Sequence, residues 1–300
     1  MNNDKRVMVS VLIVTVDRVD DVMRAIKSSV NQDYPNKEIV VVVSGHNTAL
    51  YKRIKNKYKS KVQLISKKED EGVSSNRNKA IESAKGDILV TIDDDAYFES
   101  DKTLSNIVDT FREADGDVGA LALKIKRHSD GEVIALPARN NNVDLSNSFE
   151  VASFRGAGHA ILRKVYEDSG LYRDYDPYGH EELDLSLRII DNGYKIKYAP
   201  SAVVKHDVSK NRSERKGEYW VYLLSHRVKV AIHNLPWRCV VSTLLAWSAR
   251  IFYDSKFSIR VIVNSYKKIL KDLRRSIHER KVISKKAFNY LKELNGPLYY

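Results

Sequence analysis

The chain has little of the features that mark several common classes of protein. Its single cysteine, Cys239, excludes an intramolecular disulfide, and with it the disulfide-rich scaffolds of small secreted proteins. No apolar run reaches the roughly 18 residues needed to span a bilayer, and residues 239–247, among the longest, stop at half that length. We expect no secretory signal in residues 1–30, because residues 7–16 are a short β-branched run followed by charged residues. We therefore expect a cytoplasmic protein.

Glycine and proline are also scarce, with 13 and 6 residues, whereas 43% of the chain is hydrophobic and 30% is charged. This balance is that of a folded protein. A length of 300 residues is enough for one large domain or for a domain with an appendage.

Negative charge is scarce in the last third of the chain. Residues 201–300 contain 21 Lys and Arg but only 7 Asp and Glu, a net charge of +14, whereas the first 200 residues contain 30 and 32, a net charge of −2. The overall charge of +12 therefore belongs to the C-terminal third. Such an asymmetry indicates a polyanionic partner, either a membrane surface or a nucleic acid, although a solvated basic surface has the same composition.

Strands and helices alternate through the first hundred residues. Continuous β-branched runs predict buried strands, and apolar residues at helical spacing predict the helices between them. The strands are expected at residues 7–16, 38–43, 62–66 and 87–92, and the helices at 20–31, 49–58 and 74–84. This alternation predicts an α/β fold with a mostly parallel sheet and helices on both faces.

The alternation loosens after residue 117. Residues 139–148 are polar and Asn-rich and predict a loop, while residues 181–192 predict a helix that ends at Gly193. Strand-like segments occupy residues 118–126, 150–154, 194–198 and 202–205. Only helical patterns remain after residue 211, at 217–233, 238–253, 258–275 and 284–294. We therefore predict an α/β domain over residues 1–210 and a basic, amphipathic α-helical appendage over 211–300.

Three consecutive aspartates, Asp93, Asp94 and Asp95, directly follow the apolar strand predicted at 87–92. Ligands bind beyond the carboxyl ends of strands in open α/β sheets. Carboxylates clustered there repel one another unless a cation neutralises them, and hard oxygen ligands suit Mg²⁺ or Mn²⁺, which typically also hold phosphate oxygens. An acidic turn or helix cap is the simpler explanation for one aspartate, but a run of three favours a metal site.

A second acidic group lies at a predicted helix start, where Glu181, Glu182 and Asp184 fall within four residues. The helix dipole stabilises anions there, and Asp184 precedes Arg188 by four residues, so the two can pair on the helix surface. The loop before them, residues 174–179, is aromatic and turn-rich, as at the rim of a pocket. Because a carboxylate in such a rim can accept a proton from a hydroxyl group, a structural and a catalytic role are both open.

The third candidate is His206, which follows the short apolar run 202–204. A lone histidine is more often a packed or solvated residue than a ligand. The pattern alone therefore leaves its role open.

Taken in order along the chain, these segments resemble glycosyltransferase family 2, the inverting enzymes with a GT-A (Rossmann-like) fold. The similarity is carried by residues 11–18, 28–35, 38–43, 72–80, 84–86, 93–95, 156–158, 181–188 and 193–196. Singly these pieces are weak, but jointly and in this order they are specific. The resemblance covers about residues 7–207 and implies a transferase that takes a sugar from a nucleoside-diphosphate sugar.

The resemblance also implies a role for each matching residue. The nucleotide-sugar pocket would be lined by Thr15, Asp17, Arg77, Asp93 and Asp94. The divalent cation, Mn²⁺ or Mg²⁺, would be held by Asp93 and Asp95, with His206 completing the site as in some members. The family's base is usually the aspartate of a Glu-Asp pair, and here the pair is Glu181-Glu182. Glu182 is therefore the candidate base, with Glu181 and Asp184 beside it in the catalytic group.

One departure from the family pattern bears on the donor. The second strand of many members ends in an aspartate that contacts the nucleobase, whereas this chain has Val-Ser-Gly at 43–45. The nucleotide, the sugar and the acceptor are therefore left open by the sequence.

Two other functions fit part of the sequence. A nucleotidyltransferase also uses clustered carboxylates and metals, but it would be expected to show a glycine-rich phosphate loop, and residues 14–18 contain no glycine. A nucleic-acid-binding protein would use the basic C-terminal third. The aromatic residues there lie among aliphatic ones in helical patterns, which suits a bilayer interface better than base stacking.

We therefore expect a glycan or lipid-linked acceptor, no nucleic-acid partner, and peripheral attachment to an anionic membrane surface on its cytoplasmic face. Packing on the α/β domain or contact in an oligomer is the alternative use of the helical region. The apolar surface assigned to the membrane contact is supplied by Leu223, Leu224, Val228, Val230, Ala231, Leu235, Trp237, Val240, Val241, Leu244, Leu245 and Trp247.

Overall fold

The computed structural model describes residues 7–134, 143–207 and 217–298. Most of the loop predicted at 139–148 is covered from residue 143 onward, where the chain forms turns and bends, while residues 139–142 lie outside the described residues. The boundary predicted at 210–211 also lies outside them.

The described residues form one sheet flanked by helices. The strands are β1 (Val9–Thr15), β2 (Lys37–Val43), β3 (Gln63–Ser66), β4 (Ile88–Asp93), β5 (Ala96–Phe98), β6 (Val118–Arg127), β7 (Glu150–Val151), β8 (His159–Leu162) and β9 (Lys195–His206). The helices are α1 (Val19–Val30), α2 (Thr48–Tyr58), α3 (Gly72–Ser83), α4 (Thr103–Glu113), α5 (Arg163–Ser169), α6 (Glu181–Asp191), α7 (Glu218–Asn234), α8 (Trp237–Asp254), α9 (Ile259–His278) and α10 (Lys285–Glu293).

The strands lie in the order β3-β2-β1-β4-β8-β6-β9-β5, with β7 beside β9. The first four are parallel, as the alternating sequence pattern predicts. Beyond them the sheet is mixed, because β8 runs antiparallel to both β4 and β6, whereas β6 and β9 are parallel. The predicted α/β fold is confirmed, and its second half contains more antiparallel pairing than the sequence indicated.

The sheet is buried on both faces, which explains the unbroken apolar runs. Along β1, Val9, Val11 and Ile13 belong to one hydrophobic cluster, and Leu12 belongs to the cluster on the other side. Successive side chains of a strand point to opposite faces, so a strand covered on both sides must be apolar throughout. The parallel strand ends, with their polar residues, are thereby brought to one edge.

The C-terminal helices share a core with the sheet. Leu224, Val228 and Val230 of α7 are buried in the cluster that also holds Leu12 and Leu89. The expectation that these residues supply membrane-contacting surface is therefore wrong for α7, because α7 packs against α6 and α9. Of the twelve apolar residues assigned to that surface, the strongly exposed ones are Trp237, Val241 and Leu245, all on α8.

Among the described residues, none of the helices combines the length and the hydropathy that a membrane span needs.

Candidate active site

The polar residues at the ends of β1 and β4 meet because these strands are parallel neighbours. β4 ends at Asp93, and Asp94 and Asp95 form the turn into β5. The Thr15 hydroxyl, at the end of β1, donates a hydrogen bond of 2.8 Å to the Asp94 carboxylate. Arg18, in the turn after β1, pairs with Asp94 at 3.3 Å and with Asp95 at a shorter distance. The edge predicted to bind the ligand therefore carries a compact network of opposite charges.

His206 enters this network through strand pairing. β5 and β9 are antiparallel, and their register places His206 opposite Ala96, the residue after Asp95. The His206 Nε2 atom lies 3.0 Å from the Asp95 Oδ1 atom. Ligand atoms of Asp93, Asp95 and His206 all fall within 4.8 Å of one another. Two carboxylates and one imidazole at this separation fit a divalent cation, and they are the three residues predicted to hold it.

The neighbouring aspartates differ in their electrostatics. Burial raises the pKa of Asp94 to about 7, although Arg18 and the hydrogen bond from Thr15 oppose this shift. Burial acts in the same direction on Asp95, but the contacts with His206 and Arg18 outweigh it and lower the pKa of that carboxyl. Asp95 is therefore the more strongly anionic of the two.

Arg77 connects the two acidic groups that the sequence pattern indicated separately. This buried side chain on α3 donates to Asp93 at 2.9 Å, to Glu182 at 2.8 Å and to Glu181 at 3.2 Å. Burial alone would lower the pKa of Arg77, yet the surrounding carboxylates raise it well above its ordinary value. A permanently charged guanidinium thus fixes the strand-end aspartates relative to the start of α6.

Glu181 and Glu182 have different surroundings although they are adjacent. Glu181 is buried and accepts a hydrogen bond of 2.6 Å from the backbone N–H of Gly179. Burial, with repulsion from Glu182, raises the pKa of Glu181 to about 8. The Glu182 side chain is 17% exposed and reaches the open side of the site. Glu181 is therefore enclosed by its protein partners, and Glu182 is the carboxylate of the pair that a substrate can contact.

Two glycines make room for these side chains. A Cβ atom on Gly156 would lie 2.3 Å from Glu182 Oε1 and 2.5 Å from Arg77 Nη2. Gly72 has a positive φ of 85°, and a Cβ there would lie 2.5 Å from Asp176 in the rim loop 174–179. The backbone N–H of Val73 donates to the Pro177 carbonyl at 3.0 Å, which holds that loop against the start of α3. Both close approaches require glycine.

Asp184, the third carboxylate of the second group, points away from the strand ends. Its fully buried side chain accepts hydrogen bonds from Arg188 and Arg173, each at 2.9 Å, and from Asn234 at 2.7 Å. Burial opposes ionisation, but these partners outweigh it and hold the pKa of Asp184 far below its usual range. The Arg188 pairing predicted from the spacing is confirmed. Because Asn234 lies on α7, Asp184 joins α6 to the C-terminal helices rather than to the reaction site.

Asp17 is a predicted site residue whose side chain lies outside the network at the strand ends. Its side chain is exposed beyond β1, and its backbone carbonyl accepts a hydrogen bond of 2.9 Å from Val19. Among the described residues, its carboxylate does not join the contacts between Thr15, Arg18 and the aspartates. Its role toward the nucleotide stays a prediction.

Sequence reasoning missed a polar group at the ends of β2 and β3. Asn76 on α3 donates to the Ser44 hydroxyl at 3.1 Å and to the Asp70 carboxylate at 3.0 Å. Asp70 thereby supplies a carboxylate beside β2, whose own end lacks the family's aspartate. The position of Asp70 shortly after β3, at the carboxyl end of a parallel strand, was the feature of the sequence that could have indicated it. Arg18, which contacts both Asp94 and Asp95, was also missed, although it ends the first matching segment.

A comparison with known proteins agrees with this geometry. The sequence profile described as "Glycosyl transferase family 2" matches residues 10–168. The chain belongs to glycosyl transferase family 2. An uncharacterized protein of Haemophilus influenzae is 30% identical to this glycosyltransferase over 177 residues, which cover 57% of this chain and 95% of that protein.

A second relative has a named activity. The O-antigen chain rhamnosyltransferase WbaN of Salmonella anatum is 27% identical over 179 residues. The match covers 56% of each chain, so this glycosyltransferase spans little more than half the length of that enzyme.

Solved structures show the same fold. The mannosyltransferase PcManGT of Pyrobaculum calidifontis, in complex with GDP-Man and Mn²⁺, aligns with a TM-score of 0.59 at 22% identity, over 96% of this chain and 79% of that one. S. aureus TarS 1-349 in complex with UDP-GlcNAc aligns with a TM-score of 0.63 at 18% identity, over 93% and 82%. At these identities the likeness shows the fold, which is that of GT-A glycosyltransferases.

Proposed function

We propose that this glycosyltransferase moves a sugar from a nucleoside-diphosphate sugar to an acceptor hydroxyl, with a divalent cation and with inversion at the anomeric carbon. The observation that carries the proposal is the bridge made by Arg77. It joins Asp93, in the group that fits a cation, to Glu182, the carboxylate that faces the open side of the site. A diphosphate-binding group and a proton acceptor are thereby fixed on one scaffold, as a single displacement requires.

The donor end of the site is the strand edge. Asp93, Asp95 and His206 would hold Mn²⁺ or Mg²⁺, which when bound neutralises the charge that develops on the leaving diphosphate. Thr15, Arg77, Asp93 and Asp94 line the same edge, and Asp17 would contact the nucleotide from beyond β1. The complexes of structural neighbours with GDP-Man and Mn²⁺ and with UDP-GlcNAc support a donor of this class.

Glu182 acts as the general base in the proposed reaction. Its carboxylate takes the proton of the acceptor hydroxyl while that oxygen forms a bond to the anomeric carbon from the face opposite the diphosphate. The bond from that carbon to the diphosphate oxygen breaks, and its electron pair leaves with the diphosphate. Arg77 orients Glu182, and Glu181 is buried against Arg77 and the Gly179 N–H, so Glu181 supports the site without serving as the base.

The acceptor is proposed to be a glycan, carried on a lipid or at the cell surface. The name of one relative, an O-antigen chain rhamnosyltransferase, supports a glycan acceptor. The net charge of +14 over residues 201–300 supports work at an anionic surface, on the cytoplasmic face of a membrane and as a peripheral protein. Membership of this family leaves the nucleotidyltransferase and nucleic-acid-binding alternatives without support from the comparisons.

The proposal is tested by a panel of UDP-, GDP- and dTDP-sugars with manganese and candidate glycan acceptors. Thermal shifts with each nucleotide first identify the donor class, and transfer is then followed by release of nucleoside diphosphate. Proton NMR of the product reads the configuration at the transferred anomeric carbon. We expect inversion relative to the donor. A product that retains the donor configuration would rule out the single displacement.

A further inference from the structure

The exposed apolar surface of the protein is concentrated in one segment. Within residues 7–134, 143–207 and 217–298, every large hydrophobic side chain that is strongly exposed lies between residues 237 and 282. These residues are Trp237, Val241, Leu245, Tyr253, Phe257, Ile259, Val263, Leu270, Ile277 and Val282. Single exposed apolar residues are normal on any protein, but their confinement to one segment marks an interaction surface.

Helix α8 presents four of these ten side chains, together with Ala249, as one row. Trp237, Val241, Leu245, Ala249 and Tyr253 are spaced four residues apart and are all exposed. Residues at this spacing are neighbours along a helix surface, so the row runs the length of α8 and turns by about 40° about the helix axis at each step. The guanidinium of Arg280 lies over the Trp237 ring at 4.2 Å, at the first end of the row.

The row continues into an aromatic tip between α8 and α9, which comprises residues 252–259. Phe257 contacts the rings of Phe252 and Tyr253 at centroid distances of 5.4 and 5.9 Å. The Phe257 N–H donates to the Phe252 carbonyl at 2.7 Å. Lys256 and Phe257 both have positive φ values, of 57° and 62°. Such values are costly for residues other than glycine, yet they keep Phe257 62% exposed.

The segment that carries the row and the tip is strongly basic. Residues 237–282 contain 11 Lys and Arg against 3 Asp and Glu, a net charge of +8. Arg250, Lys256 and Arg260 flank the tip itself. Apolar faces with Trp and Tyr and with basic flanks suit the interface of an anionic bilayer, where the rings enter the headgroup layer and the cations meet lipid phosphates. No helix in the described part of the chain spans a bilayer, so contact would be with one leaflet.

The inner side of α8 borders the reaction site. The Trp247 ring lies 5.2 Å from the ring of His180, the residue directly before the Glu181-Glu182 pair. One helix therefore has its outer row in solvent and its inner side against the loop that carries the candidate base.

We propose that the outer row of α8 and the aromatic tip are the surface by which this enzyme binds an anionic lipid bilayer. The inference deepens the proposed function, on which it rests for the lipid-borne acceptor, by naming the residues that insert. Charge complementarity selects the bilayer as the occupant, and a second copy of this strongly basic segment would be repelled.

The test is flotation of the full-length protein with vesicles of phosphatidylcholine alone and of phosphatidylcholine with phosphatidylglycerol. Two matched variants are compared, Leu245→Glu in the row and Leu270→Glu on α9, because these leucines are 64% and 67% exposed. We expect binding to the anionic vesicles only, weakened roughly tenfold or more by Leu245→Glu and far less by Leu270→Glu. Quenching of tryptophan fluorescence by brominated lipids should fall in a Trp237→Phe variant.

Several results would overturn the proposal. If the protein does not float with anionic vesicles at low salt, the membrane is not its partner. If vesicle binding falls equally in the two leucine variants, the α8 row is not the contact surface. If light scattering shows an oligomer that Leu245→Glu dissociates, while vesicles are ignored, the surface joins two copies of the chain. Flotation requires neither donor nor acceptor, so failure here leaves sugar turnover on a soluble acceptor intact. Failure of the proposed function would instead leave vesicle binding without turnover.

Discussion

Helix α6 carries two carboxylates, Glu182 and Asp184, that are two residues apart and serve different parts of the molecule. Glu182 faces the strand edge and contacts Arg77 at 2.8 Å. Asp184 faces the C-terminal helices, where Arg173, Arg188 and Asn234 surround it. Because residues two apart on a helix project about 200° from each other, neighbouring acids in the sequence become opposite in space.

The difference between Glu182 and Asp184 shows how a catalytic carboxylate can be distinguished from a structural one within the same acidic segment. Asp184 is fully buried, and its carboxylate oxygens accept hydrogen bonds from groups within the protein. Neither oxygen is therefore available to contact a substrate. Glu182 is partly exposed and is held by the guanidinium of Arg77. Substitutions of the reaction residues should therefore affect turnover or nucleotide binding, whereas substitution of the scaffold residue Asp184 should affect stability.

Asp95→Asn should remove activity altogether while the protein stays folded. Asp95 is the strand-end carboxylate with the lowered pKa and the one that contacts His206, so its charge is central to holding the cation. Turnover of the donor and a melting curve check the two halves of the prediction. Asp207→Asn is the matched control, because the Asp207 carboxylate lies next in the chain to His206 but pairs with Arg24 at 2.8 Å. Comparable losses in both variants would argue against a specific role for Asp95.

Glu182→Gln should slow the chemical step by a factor of roughly 100 or more, the usual scale for a lost general base. Nucleotide binding, measured by calorimetry, should survive. Glu181→Gln is the control, and it should slow the chemical step less, because Glu181 is buried and contacts Arg77 and the Gly179 N–H rather than a substrate. If Glu181→Gln is the slower of the two, the base has been assigned to the wrong member of the pair.

Asp184→Asn should cost stability rather than chemistry. Removing one partner of a buried ion pair typically destabilises a protein by about 3–5 kcal/mol, because the remaining charges are left unpaired. Chemical denaturation should show this loss, while the folded fraction turns over the donor at a near-normal rate in the cold. If Asp184→Asn is as stable as the wild type but has lost turnover, Asp184 has a catalytic role.

The same variant has a defined pH dependence. The pKa of Asp184 is lower in the folded than in the unfolded protein, so its contribution to stability is present above about pH 4, the unfolded value, and declines as the pH falls toward the folded value. The difference in unfolding free energy between wild type and Asp184→Asn should therefore be full at pH 7 and shrink below about pH 4. A difference that grows with acid would contradict the ion-pair assignment.

His206→Ala should lower metal-dependent nucleotide affinity by about tenfold, which corresponds to about 1.4 kcal/mol. The remaining ligands, Asp93 and Asp95, would still hold the cation. Calorimetry of UDP or GDP binding with manganese measures the loss, and the melting temperature shows whether folding is less affected. Unchanged affinity would remove His206 from the site.

Much of the first half of the fold follows from the sequence, for a physical reason. The strands from β1 to β4 are covered on both faces, so their apolar runs are unbroken and easy to recognise. β8, at His159–Leu162, is four residues long and was missed, since such a short run does not reveal its period. α4, at Thr103–Glu113, was missed as well, although Leu104, Ile107 and Val108 are spaced as in a helix.

The site was predictable only as separate acidic groups. Its candidate ligands and base could be named from their order in the chain, but nothing local indicates that Arg77 joins them, since its partners lie 16, 104 and 105 residues away. The partner of His206 depends on the pairing of β5 with β9. The sequence also does not show that α7 is buried while α8 has an exposed side. The two helices have similar apolar content and differ only in the parts of the protein that cover them.

The most direct test of the account is whether donor turnover depends on the strand-edge cation site. Nucleoside-diphosphate release from the best donor of the panel is measured for the metal-free wild type, with excess EDTA and after manganese is restored. The account predicts no release in EDTA, recovery with manganese in the wild type, and no recovery in Asp95→Asn. Full turnover in excess EDTA would contradict it.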